Sequence, residues 1–152
     1  MMPESHTAYF ETQVNTATPQ KLRLMLIDGA LRHARRTREL WDRVDFDQAV
    51  ESLARARDIV GELIAGIRAD QSPLATQVNS LYVYLFSALT EAQQTRDQTI
   101  LAGVIRTLEE DRETWRLVCE QLGDRPVAAA LASQEELAPA VVPQPSAFSI
   151  DA

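Results

Sequence analysis

The chain has 152 residues, 45% hydrophobic and 24% charged, which is near globular averages and excludes wholesale disorder. That length supports one domain whose core removes roughly two-thirds of the unfolded chain's surface from water. Lys and Arg number 15 against 22 Asp and Glu, and the resulting charge of −7 disfavours nucleic acid as a partner.

The single Cys119 excludes an internal disulfide framework and a Cys-rich zinc site, and fits a reducing compartment. No apolar run approaches the ~20 residues of a membrane span, and no basic-then-apolar signal opens the chain. A soluble, cytoplasmic protein without membrane insertion is expected.

Residues 1–17 show little periodicity and are expected to form a flexible N-terminal segment. Thr18-Pro19 then reads as a helix start, with a hydroxyl at the N-cap and proline where its missing N–H costs nothing. A first helix follows to about Trp41, rich in Leu, Ala and Arg. Asp45 with Gln48 resembles a capping box and opens a second helix to about Ala69. Ser72-Pro73 repeats the cap-then-proline signal for a third, to about Gln94. Asp97 caps a fourth, which Gly123 ends as a left-handed residue.

Spacing supplies the stronger signal. Phe46, Ala49, Leu53, Ala56, Val60, Leu63 and Ile67 alternate by three and four without a break. Leu74, Val78, Leu81, Leu85, Ala88 and Ala92 do the same. Leu101, Val104, Leu108, Trp115, Val118 and Leu122 follow suit, interrupted once at Asp111. Such stripes pack helices side by side, and links of a few residues make neighbours antiparallel. The expected fold is all-α: an antiparallel up-down four-helix bundle over 18–123. Residues 124–138 offer a short fifth, C-terminal helix, centred on the Ala-rich Val127–Leu137. From Pro139 to residue 152 the proline-punctuated sequence reads as a disordered tail.

Catalytic chemistry is hard to find. Of the two histidines, His6 lies in the N-terminal segment and His33 among Arg32, Arg35 and Arg36. Neither has the Glu three positions earlier that a dimetal site in a bundle requires. There is no glycine-rich phosphate loop, nucleophile elbow or zinc-ligand spacing. The acidic run Glu109, Glu110, Asp111 and Glu113 reads as a solvated face, and Cys119 as a small buried hydrophobe. Arg32, Arg35, Arg36, Arg38 and Arg43 make the end of the first helix basic, which ion pairing with acidic neighbours explains. No enzyme, cofactor or metal is expected.

Apolar surface, by contrast, is in surplus. The first helix carries Leu22 with Leu26, and also Leu24, Ile27, Leu31 and Ala34. Ile59 and Ile64 fall outside the heptad of the second helix, and Tyr82, Tyr84 and Phe86 add to the third. A wide core face accounts for about half of these. The remainder predicts self-association or a groove for an amphipathic segment, with Leu24, Ile27, Ile59, Tyr82 and Phe86 as the partner-binding candidates.

Several stretches resemble the flagellin-export chaperones, the FliS family. Ala8-Tyr9, Gln13-Val14-Asn15-Thr16-Ala17-Thr18-Pro19, Leu22, Met25-Leu26 and Asp28-Gly29-Ala30 are similar to that family's opening signature. Ala56, Ile59-Val60 and Glu62-Leu63 resemble its Lys-Ala-x-x-Ile-Ile-x-Glu-Leu segment. Leu81-Tyr82-Val83-Tyr84-Leu85 resembles its Leu-Tyr-Asp-Tyr-Met motif, Glu91-Ala92-Gln93 with Asp97 its Ala-Asn and following Asp, and Arg112 with Trp115 its closing Arg-x-x-Trp. The match runs in order over about residues 8–120. Ile27 stands where the family has an aromatic, Val83 where it has an acid, and Gln93 where it has asparagine. Arg55 and Arg57 flank Ala56 where Lys and Gln are usual.

The resemblance implies a cytosolic chaperone without ATPase activity. It would bind the C-terminal helical segment of flagellin, hold it extended around the bundle, prevent premature polymerisation and pass it to the cytoplasmic domain of the export gate, FlhA. It also implies an N-terminal plug over the empty client site, here about His6–Val14, with Tyr9, Phe10 and Val14 as its apolar residues. A staple packing ahead of the Thr18 cap accounts for the same residues equally well. The competing functional reading is a regulatory helical adaptor that binds another amphipathic helix. A metal enzyme on the same scaffold is disfavoured by the missing Glu-x-x-His pairs.

Overall fold

The computed structural model describes residues 18–68 and 73–125. They form four helices: α1 (Pro19–Asp42), α2 (Phe46–Arg68), α3 (Pro73–Thr95) and α4 (Gln98–Leu122). Among the described residues there is no strand, and no helix is long and apolar enough to cross a membrane. The expected N-terminal segment, the Ser72 cap, the short fifth helix and the proline-rich tail lie outside the described residues.

Local chemistry sets the ends of the helices. Thr18 Oγ1 accepts from the Lys21 N–H at 3.3 Å, and Pro19 takes the first helical position. Asp97 Oδ1 accepts from the N–H groups of Thr99 and Ile100 at 2.8 and 3.4 Å. The Asp45 box is only half formed. Asp45 Oδ1 accepts from the Gln48 N–H at 3.3 Å, but the Gln48 side chain accepts from Arg36 instead. The Asp45 N–H is already engaged, because it donates to the Leu40 carbonyl at 2.9 Å while Val44 N–H donates to Trp41.

Those last two bonds are a Schellman motif, with Val44 at the left-handed position where glycine is usual. Val44 has φ of 59°, and Arg96 ends α3 at 54° with a simpler single bond, its N–H donating to the Ala92 carbonyl at 2.8 Å. Gly123, also at positive φ, ends α4 as its residue type suggests. All three helices thus end at positive φ, but Gly123, with ψ of −119°, is not the left-handed helical residue expected there, and Val44 and Arg96 reach positive φ without the glycine that would signal it.

Cross-helix contacts give the topology. Gln20 meets Gly123 and Arg125, Asp28 meets Arg112, and Arg35 meets Glu109, so α1 and α4 run antiparallel. Arg57 with Gln93 does the same for α2 and α3, Tyr82 with Asp111 for α3 and α4, and Arg36 with Gln48 for α1 and α2. Each helix packs on two neighbours, closing an up-down ring in which α1 and α2 share the largest interface and α3 and α4 the smallest. At one pole the links meet: Arg96 stacks 4.0 Å from the Phe46 ring centroid, and Gln98 donates to Asp42.

The predicted stripes form the core. Ala49, Leu53, Ala56, Val60 and Leu63 of α2 pack with Leu85, Ala88 and Ala92 of α3 and Leu101, Val104, Leu108 and Trp115 of α4. Of the two stripes on α1, the one through Ile27, Leu31 and Ala34 is buried, while Leu22 and Leu26 stay partly exposed. A fully buried Val or Leu is worth roughly 1.5–3 kcal/mol, so this interior supplies most of the driving force for folding.

Candidate functional site

Residues far apart in sequence come together at one level of the bundle. Asp28 pairs with Arg112 across the α1–α4 seam. One turn on, the Arg23 guanidinium lies over the Trp115 ring, 4.5 Å from its centroid. Beneath them the Tyr82 hydroxyl donates to Asp111 Oδ2 at 2.7 Å, with both side chains buried. Gly29 allows close approach of α1 and α2: a Cβ there would stand 3.3 Å from Ile59 Cδ1. The motif residues of the opening, middle and closing segments therefore build one another's surroundings.

Asp111 corrects the sequence expectation. It belongs not to a solvated face but to the core stripe, at 8% exposure, where Leu108, Asp111 and Trp115 continue the three-four alternation. Burial raises its carboxyl above the ordinary aspartate value, opposed by the Tyr82 bond, the Arg23 charge and the Trp115 indole. Burial and the Asp111 charge in turn raise the Tyr82 phenol, which remains a donor.

The five partner-binding candidates do not share one surface. Ile27 and Tyr82 are 0% exposed, so they are core residues and reach a partner only if the helices part. The reason is geometric: Ile27 continues the buried α1 stripe, and Tyr82 turns inward to Asp111. Leu24 and Ile59 are partly buried against the core. Phe86 alone presents a large apolar surface, at 37% exposure. It sits on the α2–α3 seam beside Gly61, whose absent side chain leaves the ring accessible, and beneath Arg57 at 5.9 Å. Val83, three residues earlier on the same side of α3, extends this strip at 44% exposure, while Tyr84 projects elsewhere. Tyr9, Phe10 and Val14 lie outside the described residues.

Comparison with known proteins accounts for this arrangement. A family model described as flagellar protein FliS matches residues 1–122. The chain belongs to the FliS family. It is 31% identical over 111 residues to the flagellar secretion chaperone FliS of Bacillus subtilis, covering 73% of this chain and 83% of that protein. Against flagellar secretion chaperone FliSB of Pseudomonas aeruginosa the identity is 26% over 115 residues, covering 75% and 91%. For FliS of Salmonella typhimurium it is 29% over 110 residues, covering 71% and 82%.

The departures from the FliS pattern now have surroundings. Ile27 is a core substitution without exposed surface. Gln93 accepts from Arg57 at 2.8 Å, so two of the altered positions are partners across the α2–α3 seam. Val83 puts an apolar side chain on the surface beside Phe86. Half-buried Cys119 has its thiol pushed up by burial, away from the reactive range. Arg23 and Asp111 escaped sequence reasoning; the available signal was a carboxylate on a core stripe, which requires a buried donor somewhere.

Proposed function

We propose that this FliS-family chain is a cytoplasmic, non-catalytic flagellar secretion chaperone whose client is the C-terminal helical segment of flagellin. The observation that carries the proposal is the family match across the whole bundle, 1–122. The exposed Phe86–Val83 strip supports it chemically, because an amphipathic helix needs an apolar face to lie on. Covering the client's apolar face prevents its self-association before export, and no nucleotide chemistry is needed for that. Delivery to the cytoplasmic domain of the export gate, FlhA, completes the proposal.

On this reading Phe86 is the principal anchor, Leu24 and Ile59 contribute their exposed edges, and Ile27 and Tyr82 hold the face from beneath. The N-terminal residues Tyr9, Phe10 and Val14 compete for the same face when no client is bound. Calorimetry with the C-terminal segment of flagellin tests the reading. A stoichiometric complex is expected, weakened by roughly 1–4 kcal/mol in Phe86→Ala while the bundle stays folded. Absence of binding to any flagellin segment sinks it and favours the adaptor reading, for which the exposed Val83, in place of the family's acid, is the motivating observation.

A further inference from the structure

The α1–α2 seam, on the other edge of α2 from the Phe86 strip, carries a groove of different chemistry. His33 and Arg36 of α1 line it with Gln48, Glu51, Ser52 and Arg55 of α2, around a volume of about 330 Å³. At the helical repeat, Ser52 and Arg55 project from nearly the opposite side of α2 to Arg57 and Gly61, which meet Gln93 and Phe86 of α3. The ion pairing expected for the basic end of α1 does not reach this groove. It engages Arg35, which meets Glu109 of α4 at 3.4 Å. Among the described residues Arg32, Arg36 and Arg55 have no carboxylate within ion-pairing distance, and Arg36 donates to the neutral Gln48 at 3.4 Å.

His33 registers the field that these residues make. Its half-buried imidazole is pushed below its ordinary value by burial and then by the charges of Arg32, Arg55 and Arg36. No acid offsets that shift, although Glu51 shares the groove. Two helices thus contribute an uncompensated positive strip to a chain of net charge −7. Arg32 and Arg36 stand one turn apart on α1, about 6 Å along the axis, with Arg55 across the seam. Carboxylates at positions i and i+4 of another helix repeat at that same spacing. The groove is open to solvent, and its length follows two antiparallel helices, so it suits a helix laid along it better than an enclosed small molecule. The net charge of the chain repels a nucleic-acid backbone.

We propose that the α1–α2 groove docks an acidic helix of a second protein partner, whose carboxylates one turn apart meet Arg32 and Arg36 from one side and Arg55 from the other. The groove and the Phe86 strip lie on opposite edges of α2, so this partner and a client fit the bundle together. Carboxylates bound there offset the three arginines and raise the His33 imidazole back toward its ordinary value. The complex therefore tightens as pH falls through that raised value, because the bound form holds the proton more firmly than the free one.

Nuclear magnetic resonance of the full chain, titrated with an alanine-based helical peptide bearing Glu at i and i+4, tests this. Amide signals of residues 29–36 and 48–55 should shift, with affinity about tenfold above that of the Gln counterpart, as two or three exposed charge pairs supply. The His33 ring signal, assigned with His6→Gln, should titrate at higher pH in the complex. R36E/R55E, whose changes lie on the surface, should lose the Glu peptide and bind its Lys counterpart instead. Equal binding of the Glu and Gln peptides by the wild type overturns the proposal without any variant. So do an unmoved His33 titration, shifts centred on Val83 and Phe86, or the same shifts produced as tightly by inorganic phosphate or single-stranded DNA. Shifts that grow with protein concentration in the absence of peptide assign the groove to a second copy and overturn it too. None of these outcomes depends on flagellin.

Discussion

The Tyr82 hydroxyl donates to the Asp111 carboxylate at 2.7 Å inside the bundle, and each residue explains the other's position. An unpaired buried carboxylate is costly, and a buried phenol needs a partner. Tyr82→Phe removes the donor and leaves the charge, so it should destabilise the protein by about 2 kcal/mol. Asp111→Asn keeps an acceptor and removes the charge, so it should cost less. Urea denaturation of the two variants checks the order, and equal or reversed costs would show that the bond carries no net stabilisation.

The same carboxyl makes stability depend on pH in a definite direction. Burial raises the folded-state pKa of Asp111, so the folded protein binds that proton more tightly than the unfolded chain. Its contribution is fully present below the ordinary aspartate value and is lost as pH rises through the raised one. Stability of the wild type relative to Asp111→Asn should therefore fall from acid toward neutral pH and then level off. A difference that rises over this range would contradict the assigned environment.

Val44 has a β-branched side chain, 69% exposed, on left-handed backbone. That conformation costs an L residue roughly 1–2 kcal/mol, against roughly 0.5–1 kcal/mol for the extra chain freedom of glycine. Val44→Gly should stabilise the protein by about 1 kcal/mol, seen as a midpoint about 4 °C higher on thermal melting. A lower midpoint would mean that Val44 makes contacts outweighing its backbone strain.

Leu53 sits at the centre of the α2 stripe at 2% exposure. Leu53→Asp places a charge there with no partner and should cost about 4 kcal/mol or prevent folding. Retention of a near-wild-type cooperative thermal transition would contradict the helix register.

If the N-terminal segment competes for the client face, Tyr9→Ala or deletion of residues 1–12 should tighten flagellin binding or speed association, because fewer molecules start with the face covered. Weaker binding by both variants, with the bundle intact, would instead assign Tyr9 to the client contact.

The four helices were legible in the sequence because the signals that specify them are local. Thr18-Pro19, Asp45 and Asp97 satisfy nearby N–H groups, and the three-four stripes of α2, α3 and α4 require only that one face avoid water. Short links then make neighbours antiparallel, and the FliS motifs could be aligned without any fold. What tertiary structure alone decided is how individual side chains are used. Tyr82 looked like surplus surface until Asp111, 29 residues away, turned it inward, and Asp111 looked solvated until Tyr82 paired it. Val44 and Arg96 end their helices as glycine would, because the bonds from Val44 and Asp45 back to Trp41 and Leu40, and from Arg96 to Ala92, hold left-handed turns that their side chains do not favour. The physical reason is the same in each case: periodicity says which face of a helix is apolar, but the partner that buries or spares a residue on that face belongs to another helix.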